Sequence, residues 1–377
     1  MAIYCDAHIH LSHSKAPVFD PGEQYFCVTS CHSKEEFESL GRYGEAVFQS
    51  SSPSGVSPFA NAHCQQAGNF GATYPTAKEQ LIDGTPRQNH RFYRDSLKTS
   101  LASFVPSGRS LPTAKEQLID GTPRQNHRFY RDSLKTCLAS FAPSARSLPY
   151  AFASYGIHPQ SPSLKEKSFI EEELSYMENL IISKKIIAIG ECGFDFFTPE
   201  LKSTAAEQEI VFNEQLFLAQ KYNLPLVLHL RKSIEKIFTY SRQLKKIPAV
   251  VFHSFPGTLS EALSIKNHGI NAFFSFGKPI LNGKKASIDC VRNLPPECLL
   301  FETDAPYQTL KGEKETLPGD IKKVFRKACE LRKIDIEDLC DKIFGNFQYA
   351  FNFLLPEILP ELSQCRLHLP EPNIEKP

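Results

Sequence analysis

Two histidines near the start of the chain have the spacing of a metal-binding pair. They lie in the sequence Asp6-Ala7-His8-Ile9-His10, which follows the apolar residues 2–5. Residues two apart in an extended strand project to the same face, so His8 and His10 should point in one direction. Neutral imidazoles placed in this way supply half of a site for a divalent transition metal. The pair alone is a weak signal, because the same spacing is common at ordinary strand ends.

Further residues of metal-binding type follow apolar segments later in the chain. Each lies within three residues of the end of a segment that has the composition of a buried strand. Taken singly, each has an ordinary explanation, such as a capping histidine or a core histidine that bonds a backbone carbonyl. Together they predict a cluster, provided that the fold brings the strand ends to one place. The residues are His158, Glu191, His229, His253 and Asp304.

An alternation of strands and helices would bring these strand ends together. The first predicted strand ends at His8 and His10, and seven more follow at 25–29, 151–157, 186–189, 226–228, 249–252, 270–276 and 299–301. Alternation with helices predicts parallel strands joined by helical crossovers, and near-continuous apolar strands indicate burial on both faces. Eight such units favour an α/β fold of the closed (β/α)8 TIM-barrel type. In such barrels the chemistry lies at the C-terminal ends of the strands.

Two of the predicted helices carry specific sequence signals. Ser33 and Glu36 have the spacing of a capping box, which predicts a helix after the second strand. Residues 204–222 form a long amphipathic pattern in which Ile210, Phe217 and Leu218 are predicted to face the core. The last predicted helix, 336–353, leaves residues 356–377 as a loosely packed C-terminal tail.

A segment of unlike composition, residues 50–149, interrupts the alternation between the second and third strands. Residues 50–74 contain no charged side chain and are rich in Ser, Gly, Pro, Ala and Asn, which predicts a flexible linker. The 37-residue unit 75–111 then recurs as 112–148, with differences only at Ser100/Cys137, Val105/Ala142 and Gly108/Ala145. Two copies are fewer than the roughly three that a solenoid needs. We therefore predict a tandem duplication in a disordered surface insertion, with the barrel formed by 1–49 and 150–355.

The repeated unit is basic. Each copy has six Lys/Arg and three Asp/Glu residues, whereas the whole chain has a net charge of only +1. Within each copy, at 87–94 and again at 124–131, basic residues are interleaved with aromatic residues. Such a pattern can bind a nucleic-acid phosphate backbone and stack on a nucleobase. A solvated segment that contacts nothing explains the same charges and is the favoured interpretation.

Composition is typical of a globular protein from a reducing compartment. Of the 377 residues, 41% are hydrophobic and 23% are charged. The eleven cysteines are odd in number and include no CxxC pair, which favours free thiols over disulfides. The N-terminus lacks a secretory-signal pattern, and no apolar run reaches the ~20 residues of a membrane span. We therefore expect a cytoplasmic protein that does not enter a membrane, with a nuclear location as the alternative.

Six short motifs contain the candidate residues. They are Asp6-Ala7-His8-Ile9-His10-Leu11, Gly156-Ile157-His158-Pro159, Ile189-Gly190-Glu191-Cys192-Gly193-Phe194-Asp195, His229-Leu230-Arg231, Phe252-His253-Ser254-Phe255-Pro256-Gly257 and Glu302-Thr303-Asp304-Ala305-Pro306-Tyr307. Together the motifs resemble the TatD family of metal-dependent deoxyribonucleases, over about residues 1–48 and 150–353 and in the family's order. Lys232 stands where family members usually carry an acidic residue, a departure that bears on substrate preference.

The resemblance implies a barrel that holds two divalent ions, whose identity it leaves open among Mg, Mn and Zn. The implied ligands of the first ion are His8, His10, Glu191 and Asp304. The implied ligands of the second ion are Glu191, His229 and His253, so that Glu191 bridges the two. The implied substrate-facing residues are His158, Arg231 and Glu302, and the implied catalytic residues are Asp304 and Glu191.

The function implied is hydrolysis of phosphodiester bonds by a water that two metal ions activate, as in a TatD-type deoxyribonuclease. Asp304 would take the proton of that water. Arg231 offers a planar fork suited to a phosphate oxygen, although a salt bridge at the rim explains this residue equally well. The predicted substrate is DNA, single-stranded or at its 3′ ends, and the predicted enzyme is a monomer.

Two alternatives remain open. A carbonyl hydrolase of the amidohydrolase or lactonase type could use the same barrel, because the same metal ligands would serve it. A non-catalytic protein could instead bind nucleic acid through the basic repeats. The intact set of metal-binding residues argues against this second alternative.

Overall fold

The computed structural model describes residues 2–15, 23–41 and 150–351 and confirms the (β/α)8 barrel class. Eight parallel strands form one sheet in which each strand pairs with the next strand along the chain. The strands are β1 (Ile3–Ile9), β2 (Gln24–Cys31), β3 (Tyr150–Tyr155), β4 (Ala188–Asp195), β5 (Leu226–Arg231), β6 (Val250–Phe252), β7 (Ala272–Phe276) and β8 (Leu299–Phe301). Because β4 and β5 extend beyond their predicted ends, Glu191 and His229 lie within strands rather than after them.

Helices alternate with the strands along the described chain. They are α1 (Lys34–Ser39), α2 (Lys167–Ile182), α3 (Pro199–Ser203), α4 (Ala205–Tyr222), α5 (Glu235–Thr239), α6 (Ser241–Leu244), α7 (Leu259–Asn267), α8 (Lys285–Asn293), α9 (Ile321–Arg332) and α10 (Ile336–Ala350). A complete capping box at Thr258 and Glu261 starts α7. Ser33 caps α1 as predicted, but the Glu36 carboxylate accepts the N–H of His32 instead of that of Ser33, so the predicted capping box is only half formed.

A buried carboxylate joins the first strand to the last. Asp6 in β1 accepts hydrogen bonds from the backbone N–H and the hydroxyl of Thr303, at 2.9 and 2.6 Å. Just beyond β8, the N–H of Asp304 donates to the carbonyl of His8. The N–H of His10 in turn donates to the carbonyl of Ala305, in the segment after β8. Buried backbone donors need partners, so these bonds hold that segment against β1. They place Asp304 beside His8 and His10 at one end of the barrel.

The strands are buried on both faces, as their apolar composition predicts. Every side chain of β1, β2, β4 and β7 is buried. Aromatic rings fill much of the interior; Phe252 of β6, for example, stacks on Phe274 of β7 with ring centroids 5.3 Å apart. Burying such a side chain contributes about 1.5–3 kcal/mol to stability. Packing of this kind stabilises the barrel that positions the strand ends.

The buried side of α4 differs from the predicted one. Ile210 and Phe217 are exposed, and of the three predicted residues only Leu218 is buried. The predicted apolar side was therefore wrong for two of three positions. The residues of α4 that are buried are Gln208, Val211, Phe212, Gln215, Leu216, Leu218 and Ala219.

The two buried glutamines of α4 explain this difference. Gln215 accepts the N–H of Ile157 at 2.8 Å and donates to its carbonyl at 3.1 Å. Gln208 bonds the backbone of Asp195 in the same way, at 2.9 and 3.0 Å. These side chains face inwards because backbone groups at the ends of β3 and β4 need partners. The helix thereby holds the backbone next to His158 and at Asp195.

Several predictions concern residues outside the described ranges. They are the linker 50–74, the repeats 75–111 and 112–148, and the tail 356–377. Seven cysteines within the described ranges have free thiols: Cys5, Cys27, Cys31, Cys192, Cys290, Cys298 and Cys329. Among the helices of that part of the chain, none is long and apolar enough to cross a membrane.

Candidate metal centre

The carboxylate of Glu191 lies at the centre of the predicted cluster. The strand that carries it, β4, comes close to β5 because Gly190 precedes Glu191. Gly190 has a φ of +146°, and a Cβ atom there would lie only 2.4 Å from the carbonyl oxygen of Val227. Histidines from the ends of β1, β2, β3, β5 and β6 surround the two oxygens of Glu191.

Three histidines approach the Oε2 atom of Glu191. The distances from Oε2 to the Nε2 atoms of His8, His10 and His32 are 3.2, 3.7 and 3.4 Å. Asp304 lies in the same group, since its Oδ1 atom is 3.5 Å from His8 Nε2 and 3.4 Å from His10 Nε2. The Nε2 atoms of His8 and His10 are 3.1 Å apart, so both rings project from β1 to one point.

Three further histidines approach the Oε1 atom of Glu191. His229 Nδ1 lies 2.7 Å from Oε1, His253 Nε2 lies at 3.2 Å, and His158 Nε2 lies at 3.3 Å. Each oxygen of Glu191 therefore faces its own group of imidazoles. A single carboxylate in this position can bridge two ions.

For each of two histidines, a hydrogen-bond partner outside the cluster fixes which ring nitrogen faces Glu191. His8 Nδ1 lies 3.1 Å from the hydroxyl of Ser30. His229 Nε2 lies 3.0 Å from Oδ2 of Asp195. A ring N–H that donates to an outer acceptor leaves the lone pair of the other nitrogen pointing to the centre, which is the tautomer that binds metals. Both rings are thus held in the orientation of metal ligands.

Glu302 lies behind His253, away from the opening of the site. It is fully buried, and its Oε1 atom accepts the backbone N–H of Ser254 at 2.9 Å. The same oxygen lies 3.2 Å from His253 Nδ1, within ion-pair distance although the direction is not that of a hydrogen bond. This placement favours a role in orienting His253. Direct contact of Glu302 with substrate stays a prediction, and one that the burial does not favour.

His158 has the opposite tautomer. Its Nδ1 atom accepts the backbone N–H of Gln160 at 3.1 Å, so a neutral ring must carry its proton on Nε2. Burial lowers the pKa of His158 to about 3 despite the opposing charge of Glu191, and the ring is therefore neutral at pH 7. His158 lies close enough to Glu191 and His229 to be grouped with metal ligands. An Nε2–H donates a hydrogen bond and cannot coordinate, which favours a substrate-facing role.

Opposite charges hold the two carboxyl groups of the centre ionised. Burial alone would raise the pKa of each. For Glu191, the positive charges of His253 and His8, which are protonated as long as no cation takes the place of their inner protons, outweigh burial and hold the pKa well below its usual range. For Asp304, a hydrogen bond from His10 and the charge of His253 likewise lower the pKa. Both carboxylates are therefore ionised at neutral pH and can act as metal ligands.

The donor set fits divalent metal ions. Imidazole nitrogens suit zinc and iron, and carboxylate oxygens suit magnesium and manganese, so the mixed set does not select one metal. Lone pairs that converge at these distances are stabilised by a cation between them. The groups whose ligand atoms lie within 4.8 Å of one another are His8–His253–Asp304, His8–His10–Glu191 and His158–Glu191–His229.

The backbone adopts the left-handed conformation beside several of these residues. Lys232, Ser254, Asp304 and Gln308 have φ values of 52°, 44°, 55° and 52°. Residues other than glycine rarely adopt positive φ, and such positions cluster at functional sites where the surroundings hold them in place. Gln308 supplies part of that support, because its Nε2 atom donates to Asp304 Oδ2 and to Ser254 Oγ, each at 2.9 Å.

Arg231 lies at the rim of the site. Its guanidinium stacks over the ring of Phe197, 4.0 Å from the centroid, and both side chains are substantially exposed. Its Nη1 atom lies 3.8 Å from Asp195 Oδ2, which is a weak ion pair for an exposed side chain. The guanidinium therefore keeps donors that can bind an anion.

Three residues of the centre are absent from the sequence-based assignments: Ser30, His32 and Asp195. His32 directly follows β2 and Asp195 ends β4, so both stand at strand ends like the residues that were predicted. They were missed because the predicted strands ended too early, at residues 29 and 189. No sequence signal marks Ser30, since a serine within a strand is ordinary.

A family model described as TatD-related DNase matches residues 113–352 of the chain. The match covers more than half of the sequence and includes β3 to β8, with Glu191, His229, His253 and Asp304. The chain belongs to the TatD-related DNase family. The predicted family, and with it the prediction of a metal-dependent hydrolase, is confirmed.

The chain is also similar to two named proteins and to one solved structure. YabD of Bacillus subtilis strain 168, named an uncharacterized metal-dependent hydrolase, is 30% identical over 209 residues, 54% of this chain and 78% of the relative. The protein of Pantoea ananatis named 3′-5′ ssDNA/RNA exonuclease TatD is 32% identical over 159 residues, 42% of this chain and 59% of the relative. The crystal structure of YjjV, a TatD homologue from Escherichia coli, is 26% identical and covers 60% of this chain and 84% of that one, with a TM-score of 0.49.

Replacing Ser30 with alanine should weaken metal binding by this TatD-family centre about 10–100-fold, the usual loss when a ligand histidine loses its orienting partner. The Nδ1 atom of His8 would lose its acceptor, so the ring and its tautomer would no longer be fixed. Calorimetric titration of the metal-free protein with Zn²⁺ or Mn²⁺ measures the change. Ser275→Ala is the control, because Ser275 is also buried in a barrel strand and its hydroxyl has no hydrogen-bond partner among the described residues. Equal affinity of Ser30→Ala and wild type would contradict this role.

Proposed function

We propose that the chain is a phosphodiesterase that uses two divalent metal ions to hydrolyse single-stranded DNA. The observation that carries the proposal is the position of Glu191, whose two oxygens face separate groups of histidines. Ions held there would supply positive charge to the reacting phosphate and lower the pKa of a bound water. The proposed ligands are His8, His10, Glu191 and Asp304 for one ion, and Glu191, His229 and His253 for the other.

Asp304 is the proposed acceptor of the proton from the attacking water. Its Oδ2 atom is held by the Gln308 amide at 2.9 Å, while its Oδ1 atom is turned towards His8 and His10. Oδ1 would hold the ion beside His8 and His10, and Oδ2, which has a second lone pair beside the one that accepts from Gln308, would take the proton. Glu191 is almost fully buried, and its proposed role is to bridge the ions rather than to contact substrate.

Hydrogen-bond donors at the opening favour a phosphodiester over a carbonyl substrate. The Nε2–H of His158 faces the centre, where it donates to Glu191 Oε1 at 3.3 Å and would be shared with a substrate oxygen, and the Arg231 guanidinium is supported by Phe197 at the rim. A guanidinium matches two oxygens of one phosphate through parallel hydrogen bonds. A neutral amide or lactone has no anionic oxygens to occupy such a fork, so the carbonyl hydrolase stays the second choice.

Exposed aromatic rings beside the opening favour a single-stranded nucleic acid. Phe197 lies under Arg231, and Tyr307 packs edge-on against His10 with ring centroids 5.1 Å apart. Both rings are about half exposed. Stacking of a base on an aromatic side chain contributes about 1–3 kcal/mol. The name of the Pantoea ananatis relative, a 3′-5′ ssDNA/RNA exonuclease, supports single-stranded DNA with a free 3′ end as the first substrate to test.

We also propose that residues 1–49 and 150–355 form one catalytic domain that residues 50–149 interrupt. Strands β2 and β3 are parallel neighbours, in register from Phe26–Tyr150 to Cys31–Tyr155, although they are far apart in the chain. An insertion into a single domain produces this combination. A monomeric state and a cytoplasmic location stay predictions.

A nuclease assay combined with metal analysis tests the proposed function. Purified full-length protein should bind about two divalent ions per chain and shorten 5′-labelled single-stranded DNA from its 3′ end. Bound metal with turnover of amides or lactones, and none of DNA, would move the assignment to the carbonyl hydrolase. DNA binding that needs residues 50–149, without metal or turnover, would support the non-catalytic alternative.

A further inference from the structure

We infer that His32 binds a phosphate oxygen of the substrate at the reacting centre, beside His158. The inference rests on the proposed function, because it takes a phosphodiester as the reacting group. It assigns a role to a residue that the sequence motifs omit. The residue immediately follows β2, so it lies at the same end of the barrel as the proposed metal ligands.

Several contacts hold His32 in place. The backbone N–H of His32 donates to Oε2 of Glu36 at 2.8 Å. Its ring packs between those of His10 and His158, with centroid distances of 5.2 and 4.9 Å. A side chain confined in this way by its neighbours is pre-organised to contact a ligand.

The Nε2 atom of His32 lacks a partner of its own. It is buried, and no hydrogen bond to it is made by any residue in the described ranges. It lies 3.4 Å from Glu191 Oε2, but the direction of that contact is not that of a hydrogen bond. Buried polar atoms are destabilising when they have no partner, and the exceptions in native proteins call for an explanation. A substrate oxygen at the centre would supply the missing partner.

Exposure separates His32 from the proposed metal ligands. The side chains of the proposed histidine ligands His8, His10, His253 and His229 are 0%, 4%, 5% and 10% exposed and that of Asp304 is 12% exposed, whereas those of His158 and His32 are 13% and 22% exposed. The two more exposed rings therefore border the opening through which a substrate reaches Glu191. Two imidazole donors at this position can bind oxygens of one phosphate.

A role for His32 as a further metal ligand is less well supported. Groups of ligand atoms within 4.8 Å of one another include His8, His10 and His158, but none of these groups in the described chain includes His32. Among the residues that the structure describes, only one carboxylate oxygen, Glu191 Oε2, lies within ion-pair distance of its Nε2 atom. The geometry suits a side chain that binds the substrate phosphate, which the ions would also bind.

Phosphate binding by two His32 variants tests the inference. Inorganic phosphate would be titrated calorimetrically into the metal-loaded full-length protein, for wild type, His32→Leu and His32→Gln. The leucine variant should bind phosphate on the order of 10–100-fold more weakly, since it loses a hydrogen bond to an anion. The glutamine variant keeps an N–H donor near the position of Nε2 and should regain part of the affinity. The control is His268→Leu, whose exposed ring bonds only the carbonyl of Ser264 within the described chain.

The outcomes separate this inference from the proposed function. Weaker phosphate binding in His32→Leu, with metal content unchanged and partial recovery in His32→Gln, supports the inference even if wild type leaves DNA uncleaved. Unchanged phosphate affinity in His32→Leu overturns it. Loss of bound metal from His32→Leu also overturns it, because His32 would then be a ligand. Equal losses in the leucine and glutamine variants would indicate a purely structural role and overturn it as well.

Discussion

Replacing Glu191 with glutamine should remove metal binding and hydrolysis together. The substitution keeps the size of the side chain but removes the negative charge between the two groups of histidines. One oxygen becomes an amide NH₂, which cannot coordinate an ion, so a bridge between two ions is no longer possible. We expect activity to fall on the order of 10⁴-fold, the scale seen when one central catalytic group of a hydrolase is removed. The bound metal should fall from the proposed two ions per chain to less than one.

Metal analysis after dialysis and a phosphodiesterase assay measure these two effects on the same samples. Glu178→Gln is the matched control, because Glu178 accepts hydrogen bonds from Lys221 and Tyr222 at 2.7 and 2.6 Å, and neither partner belongs to the centre. That variant should keep its metal and its activity. A Glu191→Gln protein that retained two ions would show that the carboxylate does not bridge them. Thermal unfolding beside chelator-treated wild type would separate loss of metal from loss of fold.

The barrel could be predicted because its strands and helices carry strong local signals. Strand β8 has the predicted boundaries, 299–301. Neighbouring residues mark the ends of such elements: Pro295 and Pro296 precede β8, and Thr258 with Glu261 caps α7. Proline and a capping box act within a few residues, so a single sequence contains all the information that they need.

The extent of β4 could not be predicted, because it depends on a neighbouring strand. Gly190 and Gly193 are weak strand formers, and they ended the predicted strand at residue 189. In the structure β4 continues to Asp195, and a Cβ atom at Gly193 would lie 2.3 Å from the carbonyl oxygen of His229. The glycines are thus positions where β4 and β5 come close together. This contact between strands also gives Asp195 its place behind His229.

The inward side of α4 was mispredicted for a related reason. Hydrophobic patterning assumes that a helix buries its apolar residues, yet Gln208 and Gln215 are buried while Ile210 and Phe217 are exposed. The glutamines face inwards because backbone groups of distant strands need hydrogen bonds. These hydrogen bonds depend on tertiary structure, so the hydrophobic periodicity of the helix does not indicate them.

Replacing Lys278 with methionine should destabilise the barrel by about 3–5 kcal/mol, the usual loss when one partner of a buried ion pair is removed. Lys278 follows β7 and is fully buried. Its ammonium group bonds the carboxylates of Glu313 and Asp320, the latter at 2.6 Å. Both carboxylates belong to the segment after β8 that also carries Gln308, so the lysine fixes that segment against the end of β7. Methionine would leave two carboxylates facing a buried apolar chain.

Lys323→Met is the matched control for this prediction. Lys323 pairs with the same two residues, at 2.7 Å from Asp320 and 3.8 Å from Glu313, but its side chain is 52% exposed. Surface ion pairs contribute only about 0–1 kcal/mol. Urea denaturation at pH 7 should therefore give a much smaller loss for Lys323→Met than for Lys278→Met. Similar losses would mean that burial of Lys278 does not decide the effect.

The pH dependence of the Lys278 effect identifies its partners. Burial raises the pKa of Asp320, but hydrogen bonds from Lys278 and Lys323 outweigh it and lower the pKa below its usual range. The pKa of Glu313 is lowered as well, chiefly by its hydrogen bond with Lys278. A carboxyl group with a lowered folded-state pKa stabilises the protein above its unfolded pKa and loses this contribution as pH falls through the folded pKa. The difference in unfolding free energy between wild type and Lys278→Met should therefore be complete at pH 7 and shrink below about pH 4. A difference that stays constant down to pH 3 would show that these carboxylates are not what Lys278 stabilises.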